Sequence, residues 1–504
     1  MPSLLIGRFP RSAQGTKCHG GHLGWYSSQF TVHVLPNELF SFTVYSVHNH
    51  NPASIEIVKR LTPTLDTFRY GYDTMSQGDP THQSTGLKAL LFLPVLQLPV
   101  PRDVLRAAYR SALKAALAPP EPRQSTNEQP KVSHLDIAVL FDGGSDGSRS
   151  ELFPAFQSLL AELYTLICVT AASLSIELDV PGGMDVRLLA LDAPYDGSSD
   201  SSASKSSPTD AASSGPLSSM EAFVASKRTY DRYLCSVLTD MDDCFRNRGF
   251  DEYWKTIQDA HALSAYGSHL SHEPEYLHNT ITDKALTKQN SRKHTRVAVG
   301  GTFDHLHIGH KLLLSATIFI AQPGPKDREI TVGITGDELL VNKKHASVLE
   351  SWDVRQQRSA EFVESILIFH PDIPSIRKVE HIDEPGPNGK VVKVTYSPSG
   401  ASGNVTINYV RISDPFGPTI TDESISALII SAETRAGGKA VNDRRNEKGW
   451  ASLEVFEVDV LDAGSVDETE GQTPTAVKTG FESKISSTEI RRRLATGEGQ
   501  AKAA

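Results

Sequence analysis

Cysteine is nearly missing from this chain: Cys18, Cys168, Cys235 and Cys244 are the four in 504 residues, and no two form a CxxC pair. Their spacing suits neither a disulfide framework nor a zinc site, and a reducing compartment is the simple reading. Long apolar runs are missing too. The longest, Ala89 to Val100, is broken by Pro94 and Pro99, so no stretch reads as a bilayer span. Basic residues are not in excess. Lys and Arg number 50 against 60 Asp and Glu, a formal net charge of −10, which speaks against a general nucleic-acid binder but not against a local nucleotide site. A P-loop is absent: Gly386 to Lys390 lacks the spacing, and the Gly143–Gly147 run lacks the lysine. There is no fixed-period repeat. The first residues, up to Asn37, hold Arg8, Arg11 and Lys17 and no acid, as transit peptides do, but Gly7, Pro10 and the His19-Gly20-Gly21 stretch spoil an amphipathic helix. A cytoplasmic location is expected, with a mitochondrial one as the alternative.

What is present reads as globular: 39% hydrophobic and 22% charged residues, enough chain for two to four domains at about 150 residues each. Two polar breaks divide it. Residues 118–132 are a Pro-rich connector. Residues 193–219 are a Ser-rich tract with little to bury, expected to be disordered because it cannot offset its ordering entropy. Strands are expected at Ala89–Val95, Leu135–Phe141 and Val186–Asp192, and helices at Arg102–Leu117 and Glu151–Cys168, from their apolar periodicity. Met220–Arg246 and Asp251–Ala265 also read as helical. A second strand–helix series starts at Arg296–Phe303 and Gly309–Ala321. It continues through Glu329–Gly336, Asp353–Phe369, Asn404–Asp414, Ala427–Ser431 and Leu453–Leu461 to a helix at Ser486–Leu494. The fold class is therefore α/β, a Rossmann-like parallel-sheet domain at the C-terminus preceded by a second α/β domain. The divisions are 1–85, a poorly defined N-terminal segment; 86–192, an α/β domain of unknown role; 193–219, the Ser-rich linker; 220–293, a helical continuation; and 294–504, the second α/β domain.

Chemistry concentrates in that last part. Gly300-Gly301-Thr302-Phe303-Asp304-His305-Leu306-His307-Ile308-Gly309-His310 joins a strand to a helix. Its His307-Ile308-Gly309-His310 is an HxGH motif at a helix start, where free N–H groups and the dipole favour anions and two imidazoles add donors. Gly309 leaves room for close packing beneath a nucleotide. Near the C-terminus, Ile485-Ser486-Ser487-Thr488-Glu489-Ile490-Arg491 reads as a capping box and equally as a phosphate cradle, with Arg491 one turn in. Lys343-Lys344 follow the strand next to the HxGH strand, at the carboxyl edge where open sheets bind ligands.

Together these stretches resemble phosphopantetheine adenylyltransferase of the HxGH nucleotidyltransferase superfamily, in its eukaryotic form, over roughly residues 294–497. Further similar places are DPFGPTITD from Asp414, SAETRAGGKAVNDRR from Ser431, and KGW at Lys448–Trp450. Because no kinase P-loop is found and nothing follows Ala504, the chain resembles the monofunctional, fungal-like form. The resemblance implies transfer of AMP from ATP to 4′-phosphopantetheine, giving dephospho-CoA and pyrophosphate in coenzyme A biosynthesis. It implies that Thr302, His310 and Lys343 are catalytic. Gly301, Thr302, Phe303, His307, Gly309, His310, Ser486, Ser487, Thr488 and Arg491 are the ATP contacts it suggests. Lys343, Lys344 and Thr302 would bind the acceptor, and Arg435 and Arg445 would add nucleotide contacts. His307 marks the eukaryotic version, where bacterial members have Thr or Ser. Mg²⁺ is expected with ATP, without a protein metal site; other coenzyme A pathway enzymes are conceivable partners, and nucleic acid is not. An acceptor phosphate is mostly dianionic at neutral pH, its second pKa being about 6, so neither a general base nor a covalent intermediate is needed. Since every motif lies there, residues 290–504 are expected to suffice for activity. The other readings are an HxGH enzyme with a different phosphomonoester acceptor, such as nicotinamide mononucleotide or a cytidylyl acceptor, and a non-catalytic scaffold retaining the fold.

Overall fold

The computed structural model describes residues 25–35, 38–47, 86–97, 102–118, 132–142, 148–179, 183–192, 215–235, 255, 292–383, 389–398, 403–459 and 486–496. The chain forms two compact units, Met1–His82 and Gln83–Ala504. In the first, β1 (Trp25–Leu35) and β2 (Glu38–Val47) pair as an antiparallel hairpin, with Trp25 opposite Val47.

The second unit holds two sheets. The five-stranded sheet is parallel throughout, in the order β6-β5-β4-β3-β7. Its strands are β3 (Leu87–Gln97), β4 (Val132–Asp142), β5 (Asp185–Asp192), β6 (Leu217–Ser219) and β7 (Arg232–Cys235). Leu90, Leu91, Ile137, Val139 and Leu189 are all buried, as expected for strands covered on both faces. Helices α1 (Arg102–Leu117) and α2 (Arg149–Ser173) make the crossovers, and α3 (Met220–Ala225) follows β6.

The sequence reading needs three corrections here. Residues 215–219 of the Ser-rich tract are ordered: Leu217–Ser219 pairs with β5, because Ser218 and the following Met220 are fully buried and Leu217 packs, partly buried, against the core. The rest of the tract, 193–214, lies outside the described residues, as do the connector 119–131 and nearly all of 236–291, Lys255 excepted. The helix expected over 220–246 ends at Ala225. Arg232–Cys235 is instead a strand beside β3, since Tyr233 and Leu234 fill an edge of the sheet. Finally, α2 does run 25 residues with mean hydropathy 1.6 in its most apolar window, long and apolar enough to cross a membrane, yet 67% of that window is buried within the protein. Thr165 and Thr170 escape notice as polar residues in it by bonding back to the Ala161 and Leu166 carbonyls.

The seven-stranded sheet has the order β10-β11-β12-β9-β8-β13-β14. Its parallel part comprises β8 (Arg296–Gly301), β9 (Arg328–Thr335), β12 (Val405–Ile412), β13 (Ala427–Ser431) and β14 (Glu454–Val458). β10 (Arg377–Ile382) and β11 (Val391–Tyr396) add an antiparallel edge that the sequence reading did not foresee. Helices α4 (Ile308–Ile320), α5 (Trp352–Leu367), α6 (Ile373–Ile376), α7 (Arg435–Glu447) and α8 (Ser487–Thr496) complete it. From β8 the chain winds outward through β9 and returns on the other side through β13. The switch point thus falls between β8 and β13, and ligands of such sheets sit at the carboxyl ends there.

One hydrophobic core runs through both sheets, from Leu91 and Val139 to Val299 and Val332. Helix α2 joins them: its Phe156 stacks on Phe319 of α4 at 3.9 Å between centroids, and Phe153 meets Phe456 of β14 edge-on at 5.1 Å. The two sheets are therefore not beads on a linker.

Candidate active site

At the end of β8 the chain turns through two non-glycine residues in the left-handed region, Phe303 (φ +53°) and His305 (φ +47°). Such conformations cost of order 1–3 kcal/mol each and persist where surroundings impose them. The turn buries Phe303 and Asp304 completely. Gly301 permits it, since a Cβ there would stand 3.0 Å from the Phe303 ring. The Phe303 ring then lies 5.4 Å from that of His310.

His307 caps α4. Its Nδ1 accepts from the Gly309 amide (3.2 Å), which leaves the proton on Nε2; Nε2 is 3.2 Å from Ser487 Oγ, and that hydroxyl donates to the Asp304 carbonyl (2.9 Å). A Cβ on residue 309 would lie 3.2 Å from the His307 ring, so Gly309 makes room for the capping imidazole rather than for a ligand alone. The His307 and His310 rings stack at 3.9 Å. Burial pushes both pKa values down, His307 well below the usual imidazole range with His310 beside it adding to the effect, and His310 to about 4 against the opposing pull of Asp304. Both rings are thus neutral at pH 7. His307 is engaged on both nitrogens, whereas Nδ1 of His310 has no hydrogen-bond partner.

Helix α8 meets α4 start to start. Ser486 accepts the Glu489 amide as a cap (3.2 Å), while the Glu489 carboxylate pairs with Arg492 and Arg493 instead of completing the box. Two helix N-termini and their positive dipole ends therefore converge beside His310, which is an arrangement suited to an anion. Thr302 lies at the end of β8, partly exposed. Lys343 and Lys344 are exposed, and their ammonium groups form no ion pair among the described residues.

Arg491, read from the sequence as a phosphate contact, has another task. It is buried, and its three nitrogens bind the Asp304 carboxylate, the Lys344 carbonyl (3.0 Å) and Thr488 Oγ1 (3.2 Å). It fastens α8 to the HxGH loop and to the lysine loop at once. Arg445 is likewise a correction: buried, it donates to the carbonyls of Thr419, Asp422, Glu423, Ile425 and Ala451, and no nitrogen is left for a nucleotide. Arg435 is exposed at the start of α7 and paired with Glu457 of β14.

Sequence reasoning missed the scaffold of the site. Arg355, fully buried on α5, donates to the carbonyls of Thr302 (2.6 Å), Thr335 (2.8 Å) and Glu350 (3.0 Å) and to Asp337 Oδ1 (2.5 Å). It clamps the carboxyl ends of β8 and β9 together. Glu350 takes the His305 amide (2.8 Å), and its own amide goes to Asp304 (3.0 Å). The available signal was a charged residue within an apolar helical stripe: Trp352, Arg355, Ser359, Phe362, Val363 and Ile366 are the buried face of α5.

An open, mostly parallel sheet with two helix N-termini at its switch point is a Rossmann-like α/β architecture of the nucleotidyltransferase type. A family model described as Domain of unknown function (DUF8446) matches residues 75–246, the stretch that holds the five-stranded sheet. The chain is 33% identical over 228 residues to the phosphopantetheine adenylyltransferase of Saccharomyces cerevisiae, covering 45% of this chain and 58% of that one. It is 33% identical over 198 residues to an uncharacterized protein of Schizosaccharomyces pombe, with 39% and 48% covered. It is 30% identical over 166 residues to the phosphopantetheine adenylyltransferase of Methanosarcina mazei, with 33% and 80% covered. The match spans about half the length of the two fungal relatives and four fifths of the archaeal one. The chain belongs to the phosphopantetheine adenylyltransferase family.

Proposed function

We propose that the chain transfers AMP from ATP to 4′-phosphopantetheine, releasing pyrophosphate and forming dephospho-CoA. The observation that carries this reading is the meeting of three distant segments. Arg491 binds both the Asp304 carboxylate and the Lys344 carbonyl, across 187 and 147 residues of sequence, bringing the HxGH loop, the α8 start and the lysine loop to one sheet edge. Triphosphate oxygens would lie between the starts of α4 and α8, near Ser486, Ser487 and Thr488. His310 would donate through Nε2, its Nδ1 being buried, to the charge developing at the α-phosphorus, with Thr302 beside it. Lys343 would hold the acceptor phosphate in line, with Lys344 as its neighbour. Because the His310 imidazole is neutral in the free protein, an arriving triphosphate would raise its pKa and strengthen its bond to the charge. Positioning and electrostatics suffice, since the acceptor phosphate is already a nucleophile.

Among the described residues no group of three or more His, Cys, Asp or Glu side chains is arranged to hold a metal ion, and Asp304 is occupied by Arg491 and the Glu350 amide. Mg²⁺ is accordingly proposed to enter as part of the ATP complex and to keep mostly water ligands. The reading goes with a cytoplasmic enzyme, in keeping with the few cysteines. Pyrophosphate release, measured with 4′-phosphopantetheine, nicotinamide mononucleotide, phosphocholine and unphosphorylated pantetheine, tests it. The first should exceed the rest in kcat/KM; an equal or better rate with any of the other three refutes the acceptor.

A further inference from the structure

Lys311 follows His310 directly and is buried in the first turn of α4. A cation is unfavourable there twice over: burial removes its hydration, and the helix start is the positive end of the dipole. Its hydrogen-bond partners come from β5 and from the turn that follows α2. Nζ lies 2.5 Å from Asp179 Oδ1, 2.5 Å from Asp185 Oδ1 and 2.9 Å from the Val186 carbonyl. Asp179 is itself buried, in the turn that leaves α2, and its second oxygen has no partner; Asp185 opens β5 and is 3.8 Å from Arg187 Nε. A cavity of about 340 Å³ adjoins the cluster, and Leu306 of the HxGH loop lines it together with Asp179, Asp185 and Lys311. The other end of α4 is held from the same side: Arg149 at the start of α2 donates to the Phe319 carbonyl (3.2 Å), and its amide donates to Gln322 Oε1 (3.1 Å).

We propose that Lys311 is a positioning residue for the transfer site, and that the domain of unknown function serves as the brace that holds it, through Asp179 and Asp185. Both ends of the helix that presents His307 and His310 are fixed by this domain, not by the seven-stranded sheet alone. Without the two carboxylates an unpaired ammonium would stand in the turn that carries His310, close enough to His307 to oppose its protonation. The helix start would then shift or rotate to expose it, and displacements of about 1 Å at reacting groups cost up to about 10²-fold in rate. Residues 290–504 alone, which hold every motif, therefore lack the partner of a residue next to the chemistry.

This rests on the transferase reading, and the experiment separates the two. Full-length Lys311→Met, Lys311→Arg and the triple variant Lys311→Met/Asp179→Asn/Asp185→Asn are compared with the unaltered chain. The single Lys311→Met leaves Asp179 without a counter-charge and Asp185 with Arg187 alone, and is expected to lose stability; the triple variant removes all three charges and should recover the urea midpoint. If Lys311 positions His310, the triple variant still shows kcat lowered about 10–100-fold with the ATP KM changed less than threefold, and Lys311→Arg recovers part of the rate. The His310 imidazole titration, followed by NMR with ¹³C-labelled histidine, should move in the triple variant as well. Recovery of kcat and of the titration along with stability overturns the proposal. If the unaltered chain shows no adenylyl transfer, the transferase reading fails, while the imidazole titration still decides whether Lys311 sets the environment of His310.

Discussion

Replacing Arg445 separates its sequence-based role as a nucleotide contact from its observed role in the fold. Its guanidinium makes five hydrogen bonds to backbone carbonyls, from 2.7 to 3.2 Å, and lies 5.2 Å from the Trp450 ring centroid. A hydrogen bond to a charged group contributes about 1.5–3 kcal/mol net, so five taken separately would sum to more than many domains have in total. The sum is not attainable, because the bonds share one group and the Asp422 and Glu423 stretch lies near enough to solvent to regain water. Breaking a buried charged cluster by removing one partner costs about 3–5 kcal/mol, and that is the expected loss for Arg445→Met. Arg445→Lys keeps the charge but reaches fewer carbonyls and should lose about half as much. The assay is urea unfolding of the full chain, with the ATP KM measured well below the transition. Stability should fall with an unchanged m-value while KM stays within about twofold. A tenfold rise in the ATP KM, with stability within about 0.5 kcal/mol of the parent, would refute the structural assignment.

Three further outcomes are expected. His310→Gln should lower kcat about 10²–10³-fold with a smaller effect on the ATP KM, read by pyrophosphate release, since it removes one donor aimed at transition-state charge; a change confined to KM would leave His310 a binding residue only. The folded pKa of about 4 for His310 lies below the free imidazole value near 6.5, so the unfolded chain binds the extra proton first: the stability from this group is complete above about pH 6.5 and is lost as pH falls through 4, by about 3 kcal/mol at most. Asp179, raised by burial to about 6, acts in the opposite sense over part of that window, so the difference between the parent and His310→Gln in urea midpoint from pH 7 to 4 is the quantity to measure; a difference independent of pH contradicts the low pKa. Lys343→Ala should raise the acceptor KM more than that of ATP in initial-rate kinetics, and the reverse order would assign the lysine to the triphosphate.

Much of the fold was legible because burial is written in periodicity. Arg102–Leu117 and Ala427–Ser431 have the bounds expected from their patterns, a helical stripe in one and an unbroken apolar run in the other. The hairpin of β10 and β11 was not legible. In β10 no residue is fully buried, so Arg377–Ile382 shows a mixture of charge and Val379 that reads as loop. β7 was lost for a related reason. Its four residues are too few to display a period of two, and the helical stretch before it invited extension.

The site divides along the same line. The residues proposed to face a ligand come as contiguous motifs, because a loop between a strand and a helix supplies several groups at one point, and HIGH and ISST could be read from the sequence alone. The residues that hold those loops are single charged side chains whose partners lie 53 to 187 positions away, as Arg355 reaches Thr302 and Arg491 reaches Asp304. No local pattern names the partner. The need for one is nonetheless visible: Lys311 sits between Ile308, Leu312 and Ser315, and Arg445 one turn beyond Val441, each on a buried stripe where a lone charge would be intolerable. A charge on such a stripe implies an acid or a set of carbonyls elsewhere in the chain. For Lys311 that acid pair lies in a domain to which the motifs gave no role, and the requirement for a counter-charge is what ties that domain to the site.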